Sequence, residues 1–265
     1  MKKIWAGLLF ILSFDKLFAC LILFITDGKL VLVANHEDWY AQDAEVTFIT
    51  AHNNKLGMLY FDFASEKTAQ GGMNTAGLFF DGTRTPYAPY PANNKKANCS
   101  CYIWTKILGE CSTVNQAIAY IEKYKIPEIE DVHILLADRN GNSAIVGVYN
   151  KELQIHRRNG EHQLLTNFNI SNPSYGDAQP CERFATATSM LSSDSSVTRS
   201  NLEKILSKTH QDDFTAYSNV YNLTAGEVTV YFRHNFHQKL TINLVKELKK
   251  GKHAIRLEKL FKKAA

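Results

Sequence analysis

The chain lacks most of the features that assign a protein at a glance. No uninterrupted apolar run reaches the roughly 20 residues that a bilayer requires; the stretch nearest to one, at the start, is broken by Asp15 and Lys16. There is no C-x-x-C pair, and the nine histidines show no H-x-x-x-H spacing, so the usual zinc and dithiol signatures are missing. A nucleic-acid-binding fingerprint is absent, as is any basic, aromatic-studded strand, and no nucleic-acid partner is expected. Neither an internal repeat nor a low-complexity linker divides the sequence. What remains is ordinary globular chemistry, 265 residues with 45% hydrophobic and 21% charged side chains, enough for one large domain. No metal or other cofactor is implied.

Charge is unevenly placed. The formal net charge is +4, and the segment 246–263 alone supplies +6 from eight Lys or Arg against two Glu. The basic character therefore belongs to the tail. That tail reads as a solvated amphipathic helix whose Ile255, Leu257, Leu260 and Phe261 pack back on the body, with an anionic membrane surface as the other reading. Membrane contact is expected only through this tail or through lipidation, and a homo-oligomer is compatible with the composition.

Residues 1–19 (MKKIWAGLLFILSFDKLFA) read as a secretory signal: Lys2 and Lys3 form the charged start, Ile4 to Phe14 the apolar region, and Leu17-Phe18-Ala19 the end. Cleavage there would make Cys20 the first residue of the mature chain. An N-terminal Cys carries nucleophile and base together, because an α-amine with a pKa of about 7.7–8.0 lies next to a thiol with one of about 8.5. Leu at −3 and Ala at −1 before Cys also suit a bacterial lipoprotein signal, and lipidation would block both groups. The protein is expected to be exported, to the periplasm or the extracellular space, either with Cys20 free or as a lipoprotein anchored through it. The other cysteines, at 99, 101, 111 and 181, are expected to be buried free thiols.

Alternating apolar residues predict strands at 20–26 and 29–35, joined by a type I′ hairpin at Asp27-Gly28, and at 45–52, 57–64 and 78–81. Helices are predicted at 101–110 and 112–125, the second capped by Ser112. A meander follows at 132–137, 143–149, 153–157 and 163–167. Helices at 181–191 and 198–209 come next, and a hairpin of 217–223 and 227–234 closes the pattern. Strands, helices, strands, helices, strands suggest an α+β fold with two sheets packed together and helices outside.

The first strand starts at the nucleophile, and its hairpin partner ends in Asn35-His36-Glu37-Asp38-Trp39, so Asp38 is brought beside Cys20. Here the sequence resembles the linear amide C–N hydrolases, which include bile-salt hydrolases, penicillin V acylases and the acyl-CoA:6-aminopenicillanate acyltransferase-like proteins, all N-terminal-nucleophile (Ntn) hydrolases. The resemblance covers most of the chain after Ala19. It is carried by Ala-Cys20, Asn35 to Trp39, Gly72-Met-Asn-Thr-Ala-Gly-Leu78, His133 to Gly141, Leu165-Thr-Asn167 and Arg183-Phe184. It implies a four-layer αββα sandwich of two antiparallel sheets between helical layers.

It also implies site roles: Cys20 as nucleophile with its amine as base, Asp38 as the carboxylate that positions them, Asn167 as an oxyanion-hole amide, and Arg183 as a cation that favours thiolate. A second oxyanion donor is expected from a backbone N–H near 81–84. Bile-salt hydrolases carry Arg where this chain has Asn35, which points toward the broader amidase and acyltransferase-like set. Asn35, Phe79, Phe80 and Tyr87 are the expected substrate-binding residues, the aromatics walling a pocket for a small-molecule amide with an apolar acyl group. The reading from another class is a non-catalytic binding or surface lipoprotein, which needs no convergence of Asp38, Asn167 and Arg183 on Cys20.

Overall fold

The structure, a computed structural model, describes residues 20–41, 43–90, 96–99, 102–172, 174 and 181–263. The proposed signal and Cys101 lie outside the described residues. The chain opens with strands β1 (Leu21–Thr26), β2 (Val31–Asp38), β3 (Ala44–Ile49), β4 (Met58–Phe63), β5 (Gly71–Asn74), β6 (Leu78–Arg84) and β7 (Ala97–Asn98). Helices α1 (Ile103–Glu110) and α2 (Val114–Ile121) lead to β8 (Tyr124–Lys125), β9 (Val132–Asp138), β10 (Ser143–Tyr149), β11 (Glu152–Arg157) and β12 (His162–Leu165). After α3 (Glu182–Ser193) and α4 (Arg199–Thr209) come β13 (Thr215–Asn222), β14 (Glu227–Phe232), β15 (Leu240–Asn243), α5 (Leu244–Leu248), β16 (His253–Arg256) and α6 (Leu257–Lys262).

Two antiparallel sheets result, ordered β12-β1-β2-β13-β14-β15 and β11-β10-β9-β6-β5-β4-β3-β16. Side-chain alternation sorts each strand between two cores. In β1, Ile22 and Phe24 join Phe61, Phe79, Tyr217 and Tyr221 between the sheets, whereas Leu21, Leu23 and Ile25 pack outward on Ala187, Leu202 and Ile205 of α3 and α4. In β6, Phe79 faces the other sheet, and Leu78 and Phe80 face Trp104, Ile107 and Ile118 of α1 and α2. The four-layer αββα sandwich of the sequence reading is the observed architecture.

Several local expectations are corrected. Thr26 pairs with Val31, so four residues, not two, join β1 to β2. Asp27 Oδ1 organises that loop by accepting the backbone N–H groups of Lys29 at 2.9 Å and Leu30 at 2.7 Å. The cap of α2 is Thr113 rather than Ser112, its hydroxyl accepting from Gln116 N–H at 3.3 Å, and the helix ends at Ile121 rather than near Lys125. The basic tail is not one helix: Gly251, at φ 87°, turns the chain, and His253–Arg256 adds a strand to the open edge of β3. An unpaired strand edge is a better partner for those residues than solvent. Leu257 and Phe261 are buried, as expected of the tail's apolar residues.

The sequence reading missed β5, because Gly71-Gly72 lowers its strand propensity. Packing explains both glycines. A Cβ on Gly72 would lie 2.3 Å from the Leu59 carbonyl oxygen, and one on Gly71 would lie 2.5 Å from the carboxyl carbon of Asp81. Asn74 then ties β5 to the helical layer, its Nδ2 donating to the carbonyls of Leu108 and Cys111, both at 2.7 Å. Cys20, Cys111 and Cys181 are free thiols, but of the described cysteines expected to be buried only Cys111 is, Cys99 and Cys181 being half-buried.

A similar close fit occurs in the meander, where a Cβ on Gly147 would meet the His133 ring at 2.1 Å. Gly147→Ala is expected to destabilise the protein by about 1–3 kcal/mol through overpacking. Urea unfolding should also show His133→Ala and Gly147→Ala coupled, the double variant losing less than the two singles together; strict additivity would show that the imidazole is not the obstacle.

Candidate active site

The centre of the site is the guanidinium of Arg183, on the first turn of α3. Its Nη1 donates to Asp38 Oδ2 at 2.6 Å and to the Thr209 carbonyl at 3.3 Å. Its Nη2 donates to the Cys20 carbonyl at 3.1 Å and to Asn167 Oδ1 at 3.3 Å. The pair is sunk into the protein, with 12% of the Arg183 side chain and none of the Asp38 side chain exposed. Asp38 is held from its other side by the Thr215 hydroxyl, which donates to Oδ1. A register shift between Thr215 and Tyr217 on β13 brings Thr215 opposite Asp38 at the end of β2, the re-aiming that bulges supply.

Leu21 pairs with His36, so one step earlier Cys20 falls beside Glu37. The Cys20 thiol donates to Glu37 Oε1 at 3.6 Å. Burial pushes this thiol well up, and the negative charges of Glu37 and Asp38 add to the effect, with only the Asp38 backbone N–H pulling it back. The nearest charge partner of Arg183 is Asp38, with which its guanidinium is paired at 2.6 Å. Burial also raises Asp38, with Arg183 and Thr215 limiting the rise.

Glu37 and Asp81 form a second, unpaired group of carboxyls behind the nucleophile. Burial first, and then the charge of Asp38, push Glu37 up to about 8. Burial and the charge of Glu37 raise Asp81 well above the carboxylate range, with the Gly82 N–H and the Asn35 amide drawing it partly down. Glu37 Oε2 and Asp81 Oδ2 meet no donor of hydrogen-bond geometry among the described residues. His36, the residue before Glu37, points the other way. Its Nδ1 and Nε2 lie 2.8 Å from Ser218 Oγ and 3.1 Å from Thr209 Oγ1.

Cys20, Glu37 and Asp38 line a cavity of about 310 Å³, with Phe80, Trp104 and Ile134 among its walls. The structure thus brings Cys20, Asp38, Asn167 and Arg183 together. The expected substrate-binding residues divide. Phe80 lines the cavity and stacks on Trp104 at 5.7 Å; Phe79 lies in the inter-sheet core; Tyr87 is 67% exposed and outside the lining; Asn35 is buried beside Asp81. Asn167 Nδ2 donates to the Arg84 carbonyl at 2.8 Å, which fixes the plane of its amide. Of the backbone donors near 81–84, the Gly82 N–H is already used by Asp81 Oδ1 at 2.7 Å.

Comparison with known proteins follows this geometry. The profile of the family described as acyl-coenzyme A:6-aminopenicillanic acid acyl-transferase matches residues 26–249. The chain belongs to that family. Among solved structures it is similar to penicillin V acylase from Agrobacterium tumefaciens, with 17% identity, 86% of each chain covered and a TM-score of 0.66. It is also similar to a variant of conjugated bile acid hydrolase from Clostridium perfringens, with 18% identity, 89% of this chain and 96% of that chain covered and a TM-score of 0.66. The Caenorhabditis elegans ortholog of N-acylethanolamine-hydrolyzing acid amidase matches with 11% identity, 77% and 93% covered and a TM-score of 0.60. At these identities the likeness is one of fold, the Ntn-hydrolase sandwich. No curated protein sequence matches.

Within this family fold, sequence reasoning passed over Glu37, Asp81 and Thr215 as parts of the site. A signal for the first was present. Asn35 and Glu37 are two apart in a strand whose other residues on that face, Val31 and Val33, belong to the inter-sheet core, which marks buried polar groups on an interior face.

Glu37 keeps its proton to about pH 8 in the folded state, against a usual value of 4.5. Its raised pKa makes folding least hindered at low pH, and stability falls as pH rises through the interval between those values. Asp81 acts in the same direction. The urea midpoint of the wild type is therefore expected to decline from about pH 5 to about pH 8, and Glu37→Gln to flatten that decline. An unchanged slope in the variant would remove Glu37 as its source.

Proposed function

We propose that the chain, freed of residues 1–19, is an exported N-terminal-cysteine amidase that hydrolyses a linear amide, or passes its acyl group to another amine, through an acyl-thioester on Cys20. The observation that carries this reading is the convergence of Arg183 on Asp38 Oδ2, the Cys20 carbonyl and Asn167 Oδ1, beside a cavity that Cys20 lines. A residue serving only as a lipid anchor needs none of these contacts.

Cleavage before Cys20 converts its amide nitrogen into an amine that can accept a proton. As Sγ attacks the carbonyl carbon of the substrate, the thiol proton passes to this amine. The oxygen that becomes negative takes a hydrogen bond from Asn167 Nδ2. The C–N bond then breaks, the α-ammonium gives its proton to the leaving nitrogen, and the acyl group stays on Sγ. In the second half water, or another amine, loses a proton to the α-amine and attacks the thioester, and Sγ leaves with that proton. Asp38 acts through Arg183, which grips the Cys20 carbonyl and so fixes where the new chain end points. A thiol held up by its surroundings suits this route, because the proton moves only when a base is at hand. Phe80, Trp104 and Ile134 supply an apolar wall for the acyl chain.

The test begins with protein matured in an exporting bacterial host, its N-terminal peptide weighed and a panel of acyl amides offered. An unmodified Cys20 and amide turnover are expected. Cys20→Ala should abolish that turnover, and Asn167→Ala should lower kcat/KM by about a hundred- to thousandfold. Undiminished activity in matured Cys20→Ala, or a diacylglyceryl-bearing or N-acylated Cys20 in the wild type, would end the reading.

A further inference from the structure

The cavity beside Cys20 has more carboxyls than its structural contacts answer. Among the described residues, five carboxyls line it, from Glu37, Asp38, Glu66, Glu128 and Asp131, against one cation, Arg84. Two of the five are answered: Asp38 by Arg183 at 2.6 Å and Asp131 by Arg84 at 3.8 Å. Glu37, Glu66 and Glu128 have no ion-pair partner among the described residues. Glu66 accepts the Trp39 indole N–H at 2.8 Å, which holds it and the indole together at the cavity.

A cluster of acids at a surface is usually only a solvated patch, but Glu37 is different in kind. It is 5% exposed, it lines the cavity, and its Oε2 meets no donor of hydrogen-bond geometry among the described residues, the nearby Tyr217 hydroxyl only partly offsetting its burial. A buried carboxyl oxygen without a donor is costly, and an uncharged, purely apolar ligand packed against it would leave that cost in place. The terminal torsion of a glutamate is broad, so either oxygen can turn to a ligand with little strain. The walls around it are aromatic, with Phe80 stacked on Trp104 at 5.7 Å and Trp39 and Tyr102 nearby in the lining. Aromatic faces with unanswered carboxyls form an environment that favours an organic cation over water or over a neutral chain.

We propose that this cavity recognises a cationic group on the substrate, an ammonium or guanidinium that reaches Glu37, so that the preferred amides are those of aliphatic chains ending in a positive charge. This rests on the amidase reading for its substrate but not for its binding chemistry. Glu37 Oε1 is 3.6 Å from the nucleophilic sulfur, which puts the cation only a few bonds from the scissile carbonyl. An apolar stem lies along Phe80 and Ile134, and the charge answers Glu37, with Glu66 and Glu128 adding long-range attraction. Glu37 is thus a specificity residue.

Binding and turnover are measured separately. The matured Cys20→Ala protein is titrated by calorimetry with short ω-aminoacyl anilides and with the alkanoyl anilides in which a methyl replaces the ammonium. The cationic partner of each pair is expected to bind at least about tenfold more tightly, the range of a desolvated cation–aromatic and charge-assisted contact. Adding Glu37→Gln, an isosteric change that mimics the protonated carboxyl and so preserves the fold, should bring each pair to near-equal affinity. Equal or weaker binding of the cations, or a preference that survives Glu37→Gln, would overturn the proposal. The same pairs are offered to the protein with Cys20 intact. Selective binding without cleavage of any anilide would sustain the cation site and remove the amidase reading. Cleavage of the neutral anilides as readily as the charged ones would keep the amidase and remove the cation site.

Discussion

One guanidinium holds the ends of five segments in place. Arg183 reaches from the start of α3 to the carboxylate at the end of β2, the carbonyl that opens β1, the amide after β12 and the last carbonyl of α4. A buried ion pair is expensive, because both charges lose their water, and it is tolerated only where hydrogen bonds replace that water closely. Asp38 has such replacement on both oxygens, from Arg183 and from Thr215. Without Arg183 the carboxylate would be a buried charge with one hydroxyl for company, and the carbonyl of Cys20 would lose the donor that fixes its direction. The arrangement therefore links the stability of the sheet end to the orientation of the residue that opens it.

The rest of the site follows from that anchor through strand register. Pairing of Leu21 with His36 and of Thr215 with Asp38 decides which side chains meet. Alternation along β2 then sends Asn35 and Glu37 inward and His36 toward α4, where Ser218 and Thr209 satisfy it. On the facing sheet, Gly71 leaves the space that the Asp81 carboxyl fills. A glycine that weakens a strand in isolation is thus what allows a carboxyl to sit behind the nucleophile.

How much of this could be read from the sequence depended on whether a feature was local. The order of strands and helices came from periodicity, which each segment carries by itself, and the four-layer sandwich from the family resemblance. The joining of Cys20, Asp38, Asn167 and Arg183 came from motif order, since residues 145 apart in sequence, as Asp38 and Arg183 are, have no local signal to connect them. The tail misled because eight basic residues suggest a solvated helix, while the decisive fact was the open edge of β3, which lies some two hundred residues earlier. Phe79 and Phe80 show the same limit. Adjacent aromatics in a strand must face opposite ways, but which of them meets the cavity depends on which face the helices cover, and that is a property of the assembled layers.

The site contains two classes of carboxyl with different electrostatic fates, and the difference bears on the chemistry. Asp38 shares its charge with Arg183, so it can remain ionised and hold geometry. Glu37 and Asp81 have no cation, and burial keeps their protons on. Every one of these groups opposes a negative charge on Cys20, whose thiol is held up by burial and by Glu37 and Asp38. A site built to store a thiolate would place its cation against the sulfur. Here the cation grips the backbone and the carboxylate instead, leaving the thiol protonated until a base adjoins it. In the proposed mechanism that base is the α-amine which removal of residues 1–19 creates, so the same electrostatics that keep the sulfur quiet in the precursor make its reactivity depend on that single cleavage. A positive charge brought in by substrate would act in the same sense, stabilising an ionised Glu37 and giving its unsatisfied oxygen a partner beside the reacting atoms.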